Sequence, residues 1–385
     1  MARIVNVVGA RPNFMKIAPI LREMDKVPEM RWLLVHTGQH YDVEMSEAFF
    51  RELAIPKPDM NLEVGSDTHA RQTAQIMTAF EEVCFREKPD LVLVVGDVNS
   101  TIACSLVASK LHIPVAHVEA GLRSFDRKMP EEINRIVTDI LSTYLFTTCD
   151  EANENLLREG VAREKIFLVG DVMIDTLLAN LEKIREMDTW CRMGLRQGEY
   201  AVLTLHRPSN VDDRQVLGKI IGALETVSRH IPIVFPIHPR TREAVRRFGY
   251  EKHFRSAHGH GSLARDPGRG KAIGEPGIWC CDPLGYLEFQ NLVVHCKFVM
   301  TDSGGIQEET TVLDIPCLTL RDTTERPVTI THGTNTLLGG DGVRIAEEAM
   351  KILQGKGKRG QSPPLWDGKA SERIVQILAQ EFRLN

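Results

Sequence analysis

Short, continuous runs of branched apolar residues, each followed by a segment with helical periodicity, recur along most of this chain and restrict its fold more than any other feature. The runs are Ile4 to Val8, Leu33 to His36, Leu91 to Val95, Val115 to Val118, Tyr144 to Thr148 and Ile166 to Val169. Because they are continuous and not alternating, they suit parallel strands covered on both faces. Ala70 to Phe85, Ser100 to Lys110 and Glu131 to Leu141 carry apolar positions at helical spacing between them. Such repetition predicts a doubly wound α/β domain. After a helical stretch around Met173 to Met187 the alternation starts again, with Ala201 to Leu205, Ile231 to Ile237, Phe298 to Thr301 and Cys317 to Leu320. A second α/β domain is therefore expected, in keeping with a length of 385 residues that exceeds what one hydrophobic core sustains.

The regularity fails between Gly249 and Gly277, where seven glycines are interspersed with His258, His260, Arg265, Arg269 and Lys271. That stretch reads as a surface loop. Ser362-Pro363-Pro364 marks a break before a last helix, Gly368 to Phe382. The net charge of −5 gives no broad electrostatic footprint for nucleic acid or an anionic membrane. No apolar run is long enough to span a bilayer, and Ala2-Arg3 leads directly into a strand-like run, so the chain reads as soluble and unprocessed. The eight cysteines stand singly except for Cys280-Cys281 and form no CxxC pair, as expected for reduced thiols in a cytoplasmic protein.

Two stretches match the dinucleotide fingerprint by letter, Gly355 to Gly360 and, loosely, Gly259 to Ala264. Neither opens a helix after a strand, which is the context the phosphate contact needs, so neither supports a nicotinamide cofactor. Three other segments do stand where strands hand over to helices. Gly9-Ala10-Arg11-Pro12-Asn13-Phe14-Met15-Lys16 offers turn amides with Arg11 and Lys16, which suits an anion, although an ordinary turn with solvated cations fits equally well. Asp302-Ser303-Gly304-Gly305-Ile306-Gln307-Glu308-Glu309 follows the strand Phe298 to Thr301. Its small residues admit a phosphate to the amides and Glu309 suits a ribose hydroxyl pair, while a plain capped helix is the competing reading. Arg321 to Pro327 follows the next strand. A nucleoside diphosphate bound at strand carboxyl ends between two α/β domains would use all three.

Acidic residues mark strand ends in the first domain. Asp97 follows Leu91 to Val95, Glu119 closes the next strand within His117 to Arg123, and Glu131 opens a helix in Pro130 to Arg135. Converging carboxylates make acid/base pairs; for Glu131 alone, an acid after proline at a helix start is also common without function. His206 and His238 end strands of the second domain at equivalent positions and point to function together. His36, His40, His117 and His332 match no metal-site spacing.

Taken together, Gly9 to Pro12, Thr37-Gly38-Gln39-His40, Gly96-Asp97, His117 to Arg123, Pro130 to Arg135, His206-Arg207, Thr301 to Glu309 and Arg321 to Pro327 closely resemble the non-hydrolysing UDP-N-acetylglucosamine 2-epimerases. The resemblance runs in order over nearly the whole chain. It implies two Rossmann-like domains facing a central cleft, of the GT-B type. The first would span residues 1–171, the second, holding UDP, residues 172–366, with the helix in residues 367–385 packing back on the first. It implies a cytoplasmic homodimer that uses no cofactor and no metal, and binds neither nucleic acid nor membrane.

By the same resemblance Arg11, Ser303, Gly304 and Gly305 hold the diphosphate, Glu309 the ribose, and Phe289 lies against uracil. His238, Lys16, Gln39 and Arg326 line the site, and His40 with Gln39 matches part of an activator site for a second UDP-N-acetylglucosamine. Asp97, Glu119, Glu131 and His206 match the catalytic set. The chemistry accounts for those residue types, because the C2 hydrogen of a 2-acetamido sugar has no adjacent carbonyl to acidify it. Departure of UDP from C1 makes it labile, so anti-elimination to 2-acetamidoglucal and re-addition from the other face need two acid/base groups at C2 and donors for the leaving diphosphate. Asp97 and Glu119 would be the C2 pair and His206 would assist the leaving group. His206 to Asn210 and Asn99-Ser100-Thr101 look like a branch that includes epimerases of more modified UDP-sugars, such as the diacetamido-glucuronic acid. That reading, a UDP-sugar transferase of the same fold and a non-catalytic UDP-sugar-binding protein are the alternatives.

Overall fold

The computed structural model describes residues 1–38, 52–53, 55–256 and 273–384. They form two compact units, residues 1–179 with 364–385, and residues 180–363. In the first unit β1 (Ala2–Val8), β2 (Met30–His36), β3 (Met60–Asn61), β4 (Leu91–Val95), β5 (Val115–Ala120), β6 (Tyr144–Thr147) and β7 (Ile166–Leu168) make one parallel sheet in the order β3-β2-β1-β4-β5-β6-β7. The second unit holds β8 (Ala201–Thr204), β9 (Ile233–Pro236), β10 (Arg255–Ser256), β11 (Ile278–Cys281), β12 (Phe298–Thr301), β13 (Cys317–Thr319) and β14 (Asn335–Leu337). These are parallel in the order β10-β11-β9-β8-β12-β13-β14. Among the described residues no helix is long and apolar enough to cross a membrane.

Successive side chains of a strand point to opposite faces, and here both faces are dry. Leu203, Phe235, Cys280 and Met300 enter one apolar cluster of the second unit, whereas Val202, Val234, Trp279 and Val299 enter the other. The strands consequently read as unbroken apolar runs. Strand order reverses between β1 and β4 in the first sheet and between β8 and β12 in the second, and ligands of open α/β sheets bind outside the carboxyl ends of the strands at such points. Register keeps those ends level, with Val8 opposite His36, Val7 opposite Val94, Val95 opposite Val118 and Thr301 opposite Thr204.

Helix Arg11–Met24 carries Pro19 in its interior. A proline has no N–H for the carbonyl four residues before it, which is that of Met15. Thr176 Oγ1 supplies the missing donor at 2.6 Å. Helix Val172–Glu186 thereby meets the first helix, and Ala370–Glu381 packs on Arg11–Met24 as well. Asp175 fastens this last helix, since its buried carboxylate accepts from Ala370 N at 3.0 Å, Ser371 N at 2.7 Å and Ser371 Oγ at 2.5 Å. Trp366 Nε1 donates to Thr148 O at 2.9 Å and ties down the segment that leads into it. Asp175→Ala should cost about 1–3 kcal/mol. Hydrogen exchange would then quicken in residues 370–381 before it changes anywhere in the second unit.

Candidate active site

At the end of β1, Gly9 is dictated by its neighbours, because a side chain there would overlap Ser100 Oγ and sit 2.9 Å from Thr37 Oγ1. Asn13 Oδ1 accepts from the amides of Gly9 at 3.1 Å and Ala10 at 3.0 Å, and its Nδ2 donates to Val95 O at 3.0 Å. One side chain thus joins the ends of β1 and β4 where the strand order reverses. Arg11 begins the helix; its side chain lies outside the described residues, as do Gln39 and His40.

Beyond β4, Gly96 adopts φ 69° and turns the chain so that Asp97 follows. Arg135 donates to Asp97 Oδ2 from Nε at 3.0 Å and Nη2 at 2.7 Å, and Asn134 Nδ2 donates to the Asp97 carbonyl at 2.8 Å. Glu119 is the penultimate residue of β5 and lies in the left-handed region, φ 72°, where the register against β6 shifts. A non-glycine residue held there costs about 1–3 kcal/mol and persists only where the surroundings enforce it. Its carboxylate forms a buried ion pair with Lys16. The pair lies directly over Gly96, whose absent Cβ would be 3.0 Å from Lys16 Nζ and 3.4 Å from Glu119 Oε2. Asp97 and Glu119 are thus brought together on adjacent strand ends, each held by a cation. Glu131 stands half-buried in the first turn of helix Pro130–Leu141.

That helix is turned the opposite way from a covering helix. Its buried residues are Glu132, Asn134, Arg135, Thr138 and Asp139, while Ile133 and Ile140 are 40% and 65% exposed. The apolar periodicity of Glu131 to Leu141 marks the outer face, and the polar face does the positioning. Arg135 Nη1 donates to Glu132 at 2.6 Å, and Glu132 accepts from Ser124 N, Ser124 Oγ and Phe125 N. Asp139 accepts from His117 Nδ1 at 2.6 Å, Gly121 N at 3.1 Å and Arg123 Nη2 at 2.7 Å. The other imidazole nitrogen, Nε2, reaches the Gly96 carbonyl at 2.8 Å. A buried polar chain therefore fixes both the turn before Asp97 and the one after Glu119.

In the second unit His206 and Asp302 follow β8 and β12. Asp302 is fully buried and accepts from His206 N at 3.0 Å, Arg207 N at 2.8 Å and Asn210 Nδ2 at 3.1 Å, and pairs with His206 Nδ1 at 2.9 Å. Burial pushes its carboxyl up, but the hydrogen bond and charge of His206, with the backbone amides, outweigh this and hold it below the usual carboxylate range. His238 lies 5.9 Å away, ring to ring. It caps helix Pro239–Phe248 by accepting from Arg240 N, and is lowered by burial and then by His206 and Arg240.

Helix Gly304–Val312 starts beside these groups, and its N-cap Ser303 makes no side-chain cap bond. Gly304 admits the Arg326 guanidinium, whose Nη1 and Cζ would lie 2.6 and 2.9 Å from a Cβ there. Arg326 is paired with Glu308 and Glu325, and Glu325 with Arg321 at 2.6 Å. Glu309 is buried, and takes Tyr286 Oη at 3.0 Å and Gln290 Nε2 at 2.5 Å. Phe289, on the same helix Tyr286–His295, packs half-buried at the margin of an apolar cluster. Ser303, Gly304, Gly305 and Arg326 are thus gathered at one helix start, with Glu309 further along the same helix. Asn13, Arg135 and Asp302 lie inside segments the sequence singled out but were given no role there, and Asp139 lies outside them, its only signal being an acid within the apolar periodicity of its helix. Among the described residues no group of His, Cys, Asp or Glu is placed to hold a metal ion.

A family model for UDP-N-acetylglucosamine 2-epimerases matches residues 22–379. The chain is 42% identical over 377 residues to the UDP-N-acetylglucosamine 2-epimerase of Methanocaldococcus jannaschii, covering 97% of each. It is 40% identical over 382 residues to the UDP-2,3-diacetamido-2,3-dideoxy-D-glucuronate 2-epimerase of Pseudomonas aeruginosa, covering 98% of this chain and 99% of that one. The crystal structure of the M. jannaschii enzyme in complex with UDP-GlcNAc and UDP superposes with a TM-score of 0.86, covering 98% of this chain and 99% of that one at 40% identity. With a family model spanning most of its length and relatives at this identity over nearly all of it, the chain belongs to the UDP-N-acetylglucosamine 2-epimerase family.

Proposed function

We propose that this chain interconverts UDP-N-acetylglucosamine and UDP-N-acetylmannosamine. The observation that carries the reading is the pair of carboxylates, Asp97 and Glu119, at adjacent strand ends, one held by Arg135 and the other by Lys16 on a strained backbone. One carboxylate takes the C2 proton as the C1–O bond to UDP breaks, giving 2-acetamidoglucal and UDP. The other delivers a proton to the opposite face of C2 while the UDP oxygen re-forms the bond at C1. Glu131, in the first turn of helix Pro130–Leu141, is assigned to the same catalytic set. The amides of Ser303, Gly304 and Gly305, with Arg11 and Arg326, are assigned to the diphosphate, whose negative charge grows as it departs. Glu309 is assigned to the ribose, Phe289 to the uracil, and His206 to assisting the leaving group, with His238, Gln39 and His40 bordering the ligand. No nicotinamide takes part, since the C2 proton becomes acidic without oxidation.

Proton NMR in deuterated water with UDP-N-acetylglucosamine as the only addition tests this. The manno epimer carrying deuterium at C2 is the expected product. Turnover of the diacetamido-glucuronate compound alone would instead give this chain the substrate named for its Pseudomonas relative.

The same reading places the enzyme in the cytoplasm as a homodimer. Supporting the dimer is the outward face of helix Pro130–Leu141, with Ile133 and Ile140 exposed and Ile136 and Val137 half-buried between them. Such a stripe on a soluble chain marks an interface. Ile140→Glu is expected to yield a monomer by light scattering.

A further inference from the structure

We infer that Asp302 is the positioning residue for His206, fixing the imidazole through Nδ1 and leaving Nε2 as the ring atom that exchanges a proton with the substrate. The inference rests on the epimerase reading and deepens it. Three features carry it. Asp302 is fully buried, whereas the His206 side chain is 42% exposed, so one end of the pair is anchored and the other is accessible. An ionised carboxylate only accepts hydrogen bonds, so the 2.9 Å approach of Nδ1 requires the ring proton to sit there. Finally, the remaining acceptor capacity goes to the amides of His206 and Arg207 and to Asn210, which hold the loop that carries the imidazole. Around the pair stand His238, at 5.9 Å, and Arg207, which donates to the Asp302 carbonyl at 3.1 Å and reaches Glu325 at 3.8 Å. Neither competes for Nδ1.

Asp302→Asn separates positioning from mere support. Arg207 N and Asn210 Nδ2 converge on Oδ2, so the asparagine oxygen belongs there and its NH2 faces Nδ1. A donor in that place obliges Nδ1 to accept, and the proton moves to Nε2. Nitrogen-15 NMR of histidine-labelled protein reads the change directly, with the His206 resonances identified by their loss in His206→Gln. Wild type should show Nδ1 protonated and Asp302→Asn should show Nε2 protonated. Turnover should fall on the order of 10²- to 10⁴-fold with KM changed less than about three-fold. In a His206→Gln background the same substitution should cost nothing further.

A wild-type ring protonated at Nε2 and not at Nδ1 would overturn the inference even if the variant did not fold. So would a folded Asp302→Asn with normal kcat, or losses that multiply independently of His206. If wild type does not epimerise its substrate, the functional reading fails, while the tautomer measurement still decides the role of Asp302.

Discussion

Asp97→Asn and Glu119→Gln should each lower kcat by about 10²- to 10⁴-fold, the range for losing a positioned acid or base. Both replacements keep an oxygen for the cation that holds the wild-type carboxylate. Arg135 donates twice to a single oxygen of Asp97, and one oxygen of Glu119 meets Lys16. Geometry therefore survives while the capacity to carry a proton is lost, and KM should change little. The two variants should also differ from each other. Each lacks the group on one face of C2, so each should still eliminate UDP from one epimer and fail with the other. Incubating both variants with both epimers and scoring UDP and 2-acetamidoglucal assigns the faces. Near-normal turnover by both would dismiss the pair as the C2 acid and base.

Asp139→Ala is expected to be the most damaging change to the fold of the first unit. Asp139 is fully buried and serves three donors, one on the His117 ring and one on the Arg123 guanidinium. Breaking a buried ionic network on one side costs about 3–5 kcal/mol, because the groups left behind keep their desolvation penalty. For a unit of this size that corresponds to a fall in Tm of roughly 10 °C or more. Burial pushes the Asp139 carboxyl up, but His117 and Arg123 outweigh this and hold it below its unfolded value of 3.8. Its contribution is thus fully present above about pH 4 and is lost as pH falls through the folded value; Asp302 behaves alike in the second unit. Wild type should lose stability on acidification from about pH 4 downward, and Asp139→Ala should show a shallower loss. Thermal melts across that range measure both. Activity should drop in parallel even where the variant stays folded, since the same links hold the Gly96 carbonyl and the Gly121 amide.

The sequence made the long strands legible because a strand covered on both faces cannot alternate in polarity, and Leu91–Val95 and Phe298–Thr301 are of that kind. It did not mark β3, β10, β11 or β14. Three of these are edge strands of two or three residues, and β11 is a four-residue run, Ile-Trp-Cys-Cys, behind the Gly-rich stretch. Of that stretch, residues 257–272, with His258, His260, Arg265, Arg269 and Lys271, lie outside the described residues. Asp97, Glu119 and His206 were legible as polar residues ending apolar strands, where no turn required them. Arg135 and Asp139 were not, for helical periodicity does not say which face is inward, and in Pro130–Leu141 the polar face is. Asp302 was visible as the first residue of the segment after Phe298 to Thr301, but its partner was not legible. Its carboxylate turns back to the loop after β8, a pairing of residues about a hundred positions apart.

The path of the chain also sets an order of construction. The first unit consists of residues 1–179 and 364–385, so the ribosome makes 363 − 179 = 184 residues of other material before supplying the last piece. At bacterial and eukaryotic elongation rates that interval is on the order of 10–40 s. Throughout it the helix Arg11–Met24 lacks the partner Ala370–Glu381, and the Asp175 carboxylate waits without the amides of Ala370 and Ser371. The domain begun first is the one finished last, and a nascent chain stalled anywhere in the second unit leaves it open to proteases and chaperones.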